Sequence, residues 1–178
     1  MSFTDEVKHE LTRTEFSHPA ELAALVRWDG SIRIINKELS VKIKLYQGEL
    51  ARRIFSLIKE KYNFNMEIIV RQGDCFNRKH VYELILTSQE GIKNFLINLG
   101  FLDEDNNIIF HIKKDFMEEE EPGKAYLRGA FLGGGSINDP HGEYHLEIRC
   151  DRESQARDLL KLLQKFELEG HLTTHKSK

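Results

Sequence analysis

The feature that most constrains this chain is a repetition. Leu22-Ala23-Ala24-Leu25-Val26-Arg27-Trp28 reads as a short helix running into Asp29-Gly30-Ser31-Ile32. One hundred and five residues later, Leu127-Arg128-Gly129-Ala130-Phe131-Leu132-Gly133 runs into Gly134-Gly135-Ser136-Ile137. That offset is longer than solenoid periods, so the pattern predicts two α/β units related by an approximate twofold axis rather than an array. Both opening helices place small residues together: Ala23 and Ala24 in the first, Gly129, Ala130 and Gly133 in the second. Glycine inside a helix costs roughly 1 kcal/mol against alanine. Close approach of two backbones offsets that cost, and the recurrence at equivalent places favours a helix–helix interface over simple fraying into glycine-rich turns.

Periodicity places the remaining elements. Ser2 with Asp5 resembles a capping box opening a first helix, and Pro19 suits the start of the second, which stops at Gly30. Residues 31–35 and 39–45 predict a hairpin turning at Asn36-Lys37-Glu38; Leu39, Val41, Ile43 and Leu45 share one face, Lys42 and Lys44 the other. Residues 49–62 predict an amphipathic helix, 66–71 and 80–86 two more strands, and Ser88 an N-cap for a helix ending at Gly100. The acidic run 116–123 reads as a linker between a first unit, 1–115, and a second, 124–178. In the second unit a short helix over 124–132 leads to strands at 136–138 and 143–149 around an Asp139-Pro140-His141-Gly142 turn. A helix over 153–166 follows, with Ala156, Leu159, Leu160 and Leu163 as its stripe, and 170–175 suits the opening of a third strand. The fold class expected is α+β, two αββαββα repeats with antiparallel sheets, the second incomplete.

Composition removes several classes. The 178 residues include only 3 prolines and 2 cysteines, Cys75 and Cys150, with no C-x-x-C pattern. A disulfide framework and a cysteine zinc site drop out, and a reducing cytoplasm is the default. The N-terminus is polar and of mixed charge, unlike a secretory signal, and no apolar run is long enough to span a membrane. The net charge of −3 conceals a basic segment: residues 31–80 carry 11 Lys and Arg against 5 Asp and Glu, while 81–121 carry 3 against 10. Metal-ligand spacing is absent; His141 and His145 stand four apart but in a turn and strand, and Gly-Gly-Gly-Ser lacks the lysine of a P-loop. Neither a metal nor another cofactor is expected.

The two repeat-opening stretches resemble degenerate LAGLIDADG motifs, the paired helices of the LAGLIDADG homing endonucleases. The opening Ser2-Phe3-Thr4-Asp5-Glu6-Val7-Lys8-His9-Glu10-Leu11, together with the segment from Leu127 to Ile137, resembles more closely the WhiA family of bacterial sporulation and cell-division regulators. The resemblance covers essentially the whole chain. It implies a LAGLIDADG-type domain that in the family precedes a helix-turn-helix domain, so the chain is expected to be the N-terminal portion of a longer, cytoplasmic and nucleoid-associated protein. It also implies roles in sporulation control, cell division and chromosome segregation, with double-stranded DNA, and a sigma factor or other regulator, as partners.

In the endonucleases an acid ending each motif helix holds divalent metal at the dyad. Here Asp29 keeps the acid and the matching position is Gly134, so one carboxylate replaces a symmetric pair. The expectation is a noncatalytic domain; the alternatives are a Mg²⁺-dependent endonuclease and a protein-interaction scaffold without DNA contact. The cations expected to meet DNA phosphates are Arg33, Lys37, Lys42, Lys44, Arg71, Arg78 and Lys79 in the first repeat, and His145 and Arg149 in the second. Glu67, Glu83 and Glu147 interrupt that basic pattern.

Overall fold

A helix that is apolar all round belongs in a core. Nearly such a helix is α2 (Pro19–Asp29), buried at every position from Ala20 to Val26 with Glu21 the one charged residue in that stretch, and started by Pro19, with the His18 ring Nδ1 accepting the Ala20 N–H at 3.0 Å. The computed structural model describes residues 2–16, 18–72 and 80–174. Ahead of α2 lies α1 (Phe3–Arg13), whose capping box is formed: Ser2 Oγ accepts from the Asp5 N–H and Asp5 accepts from the Ser2 N–H. The Ser2 N–H first, and then the Ser2 hydroxyl, donate to the Asp5 carboxylate and hold it below its usual range.

Strand β1 (Gly30–Ile35) turns into β2 (Glu38–Leu45) through Asn36 and Lys37, both at positive φ (51° and 67°), the two-residue hairpin geometry whose twist matches the strands. After α3 (Gly48–Tyr62), β3 (Glu67–Gln72) and β4 (His80–Leu86) complete an antiparallel sheet in the order β1-β2-β4-β3. Alternation is clean in β2: Leu39, Val41, Ile43 and Leu45 are buried and pack into one core with Leu84 and Leu86 of β4, Leu50, Ile54 and Ile58 of α3, and α2.

Helix α4 (Ile92–Asn98) starts at Gly91, not at Ser88. Gly91 takes φ +86°, while the neighbouring Gln89 amide binds both backbone groups of Asn65, so the chain turns tightly before it coils. The connector carries a bridge between Leu102 and Ile108 and a short α5 (Lys114–Glu118). The run 116–123, read as a linker, is folded: Phe116 is buried, and α6 (Glu120–Gly134) begins within the acidic residues and extends past the expected 124–132. Glu120 and Glu121 suit the positive N-terminal end of a helix, and Pro122 needs no hydrogen bond there, which is why a composition typical of linkers forms a first turn instead.

The second unit is slighter. Strands β5 (Gly135–Ile137) and β6 (Leu146–Ile148) form a two-stranded sheet, so residues 143–145 and 149 fall outside the strand expected over 143–149. Tyr144 and Leu146 are exposed, which removes the burial that would extend the pairing. Helix α7 (Glu153–Lys165) presents Gln155, Asp158, Leu159 and Leu162 to the core, a face rotated from the expected stripe. The cause is polar: the Asp158 carboxylate is drawn inward by the Ile112 N–H (3.2 Å) and the His111 ring (2.9 Å). Residues 170–174 form no strand, and His175 lies outside the described residues.

Candidate nucleic-acid interface

Two features of the fold bear on function: the end of the central helix pair and the open face of the four-stranded sheet. Helices α2 and α6 touch at backbone distance. A Cβ on Gly129 would stand 2.4 Å from the Glu21 carbonyl oxygen and 2.8 Å from the Ala24 Cβ. Ala23, Ala24 and Ala130 are buried beside this contact, and Gly133 abuts the Trp28 Cβ at 2.6 Å by the same measure. The pair is locked by a group that residue type alone does not reveal. Glu21, fully buried, receives Arg53 of α3 at 2.9 Å and Arg128 of α6 at 2.8 Å, and Arg53 also donates to the carbonyls of Thr12 and Thr14 at the C-terminal end of α1. In sequence Glu21 reads as an ordinary first-turn acid favoured by the helix dipole.

At the far end of the pair lies Asp29. Burial pushes its pKa up to about 7 against the pull of Lys8 and Arg149, and the nearby Asp151 adds to the rise. Lys8 is held below the usual lysine range by its own burial, opposed by Asp29 and Asp5. Across from Asp29 the equivalent position is closed as well as empty of acid. A Cβ on Gly134 would meet the Trp28 indole at 2.4 Å and the Arg149 carbonyl at 2.7 Å, and the Trp28 Nε1–H donates to that carbonyl at 2.7 Å. A Cβ on Gly133 would stand 3.2 Å from the Asp29 carboxylate. The divalent metal of the endonuclease fold therefore does not fit these residues: one carboxylate faces two cations and an indole fills the opposite place. Among the described residues no three His, Cys, Asp or Glu side chains gather in a metal-binding arrangement.

The sheet's open face follows from register. Ser31 pairs Lys42, Arg33 pairs Ser40, Lys42 pairs Ile85, Lys44 pairs Glu83 and Arg71 pairs Val81. Arg33, Lys42, Lys44 and Arg71 thus share the side away from the core, together with Glu38, Glu67 and Glu83. Lys37 sits in the β1–β2 turn at the rim. Arg78 and Lys79 lie outside the described residues. His145 and Arg149 flank β6 in the smaller sheet, and Arg149 lies beside the Asp29 end of the helix pair. Among the described residues, the first-repeat cations thus belong to the four-stranded sheet and its turn, and His145 and Arg149 to the ends of the two-stranded one.

Residues 17–102 match the family described as the WhiA N-terminal LAGLIDADG-like domain, and residues 123–178 match the WhiA LAGLIDADG-like domain. Among curated relatives, the "Probable cell division protein WhiA" of Halothermothrix orenii is 54% identical over 183 residues, covering 100% of this chain and 58% of that protein. That of Desulforamulus reducens is 39% identical, over 99% of this chain and 57% of its own length. The chain thus spans rather more than half the length of these relatives. The crystal structure of full-length DUF199/WhiA from Thermatoga maritima superposes with TM-score 0.67 at 22% identity, over 93% of this chain and 51% of that one. The isolated N-terminal LAGLIDADG domain of DUF199/WhiA gives 0.66 at 21%, over 93% and 74%. I-DmoI, crystallised with DNA and Mn, gives 0.52 at 15%, over 82% and 75%. The fold is LAGLIDADG-like, α helices and antiparallel sheets about a central helix pair.

Proposed function

The chain belongs to the WhiA family, and from that premise we propose that it is a noncatalytic LAGLIDADG-like domain that meets the backbone of double-stranded DNA through its four-stranded sheet. In this reading it is part of a cytoplasmic, nucleoid-associated regulator of cell division, chromosome segregation and, in some bacteria, sporulation. The relatives named as cell division proteins support the setting. Among the described residues no helix is long and apolar enough to cross a membrane.

One observation carries the noncatalytic part: Trp28 and the Arg149 carbonyl occupy the space that a second acid at Gly134 would need. Activating water on both sides of a phosphodiester calls for ligands on both sides of the dyad. The DNA part rests on the face shared by Arg33, Lys42, Lys44 and Arg71, and on a fold that I-DmoI presents in a DNA complex. Cations on an open sheet neutralise phosphates and position a protein without reading bases. A helix-turn-helix elsewhere in the longer relatives would supply sequence readout.

Duplex binding followed across a salt series tests this. Wild type is expected to show affinity that falls steeply with salt, and Arg33→Glu/Lys44→Glu to weaken and flatten that dependence. Identical curves would remove the face from the reading, and Mg²⁺-dependent nicking lost in Asp29→Asn would establish the endonuclease instead. A second reading, a protein-interaction scaffold, is favoured by Tyr144 and Leu146, 78% and 52% exposed on the second repeat. Capture of a sigma factor or other regulator by wild type but not by Tyr144→Ser/Leu146→Ser, with no salt-dependent DNA affinity, would support it.

A further inference from the structure

The cations of the open face are not equivalent. Lys42 Nζ lies 2.6 Å from one Glu83 carboxylate oxygen, and Arg71 Nε lies 3.3 Å from the other. Glu83 is only 6% exposed, although its strand position points away from the core. By register it stands between Lys44 of β2 and Ile69 of β3, with Lys42 and Arg71 on the diagonals. Val81 and Ile85, half-buried, precede and follow it on the same face. Lys42 first, then Arg71, hold its carboxyl below the usual range, so it is an anion throughout the neutral region. Arg33 and Lys44 have no carboxylate partner among the described residues.

A carboxylate with one cation at each oxygen presents what a phosphodiester presents, two oxygens sharing one negative charge. We propose that Glu83 is an internal stand-in for a DNA phosphate: it holds Lys42 and Arg71 in place and withholds their charge, so that the sheet grips the duplex backbone weakly. This rests on the reading of the sheet as the DNA face. Its chemistry is general to any unbranched phosphodiester backbone, and the commitment here is to duplex DNA. Counterion release sets the measurable consequence, because a cation already matched by Glu83 displaces no ion from DNA while a freed one does.

The test is fluorescence anisotropy of a labelled, random-sequence DNA duplex with the 178-residue chain, repeated across a salt series. Glu83→Gln keeps the shape and one acceptor oxygen but removes the charge and one of the two acceptor sites. It is expected to bind roughly tenfold tighter at low salt, with a log–log slope steeper by about 0.9, since removing one carboxylate charge frees one net positive charge. Lys42→Met and Lys44→Met give an independent comparison that does not depend on Glu83→Gln folding. Lys44→Met should lower the slope by about 0.9, and Lys42→Met by distinctly less, since its charge is already matched. Salt-dependent binding by wild type, with Glu83→Gln unchanged or weaker, overturns the stand-in role and leaves the DNA face intact. So does an equal loss in the two lysine variants. No salt-dependent binding by wild type or any variant overturns both. Poly-anionic heparin, tightened equally by Glu83→Gln, would show that the released charge is generic and would overturn the commitment to DNA.

Discussion

The two repeats share a plan and differ in what they do with it. The first ends its central helix in Asp29 and follows it with a four-stranded sheet whose inner face is buried and whose outer face carries Arg33, Lys42, Lys44 and Arg71. The second ends its helix in Gly134 and follows it with two three-residue strands that leave Tyr144 and Leu146 in water. What both retain is the smallness of the helix contact. Symmetry is thus kept where backbones press together and relaxed where side chains would do chemistry. An interface of this kind tolerates little at its centre, because a misplaced methyl has nowhere to go.

That contrast can be broken most severely at the contact itself. Gly129→Val sets side-chain atoms against the Glu21 carbonyl and the Ala24 Cβ, and is expected to abolish cooperative unfolding; thermal melts followed by circular dichroism would report it. Next comes the buried carboxylate that joins the two helices to α3. Glu21→Gln removes the buried negative charge that Arg53 and Arg128 both meet and should cost about 3–5 kcal/mol, read from urea denaturation. Restoring the second acid sharpens the comparison. Gly134→Asp must displace the Trp28 indole, so a loss of about 1–3 kcal/mol without Mg²⁺-dependent nicking is expected, the latter checked on supercoiled plasmid.

The smallest effect is a pH dependence at Asp29. Its folded pKa, about 7, lies above the ordinary 3.8, so the folded state keeps a proton that the unfolded chain releases. The stability this contributes is fully present below about pH 4 and is lost as pH rises through about 7. Asp29→Asn should therefore be the more stable protein at pH near 8, by about 1–2 kcal/mol after allowing for screening by water, with the gap closing under acid; denaturation at several pH values reads it.

Much of the first repeat could be read before any coordinates. Alternation in β2, Pro19 and the Ser2–Asp5 cap each act within a few residues and stand where local chemistry puts them, as does the hairpin turn, except that Glu38 opens β2 and the turn is Asn36-Lys37 alone. The small residues of both motif helices carried the pairing as well, because glycine inside a helix calls for a packing reason. The errors fall where distant partners decide. The acidic run at 116–123 looks like a linker until the helix that it starts is seen to bury Pro122 and Gly123. Helix α7 turned Asp158 inward because residues 111 and 112, more than forty positions earlier, supply its partners.

The candidate site divides the same way. Its residue types, an acid on one side and glycine on the other with lysines alternating along a strand, are written in the order of the chain. Which of those lysines has charge to spare is not, because Glu83 reaches Lys42 and Arg71 only once three strands are in register. Nor is the closing of the second acid position, which needs Trp28 of one helix laid against Gly134 of the other. Local pattern specifies elements and their faces through short-range sterics and solvation. Charge pairing and occupied volume are properties of neighbours far apart in the chain, so they exist only after the core has brought those neighbours together.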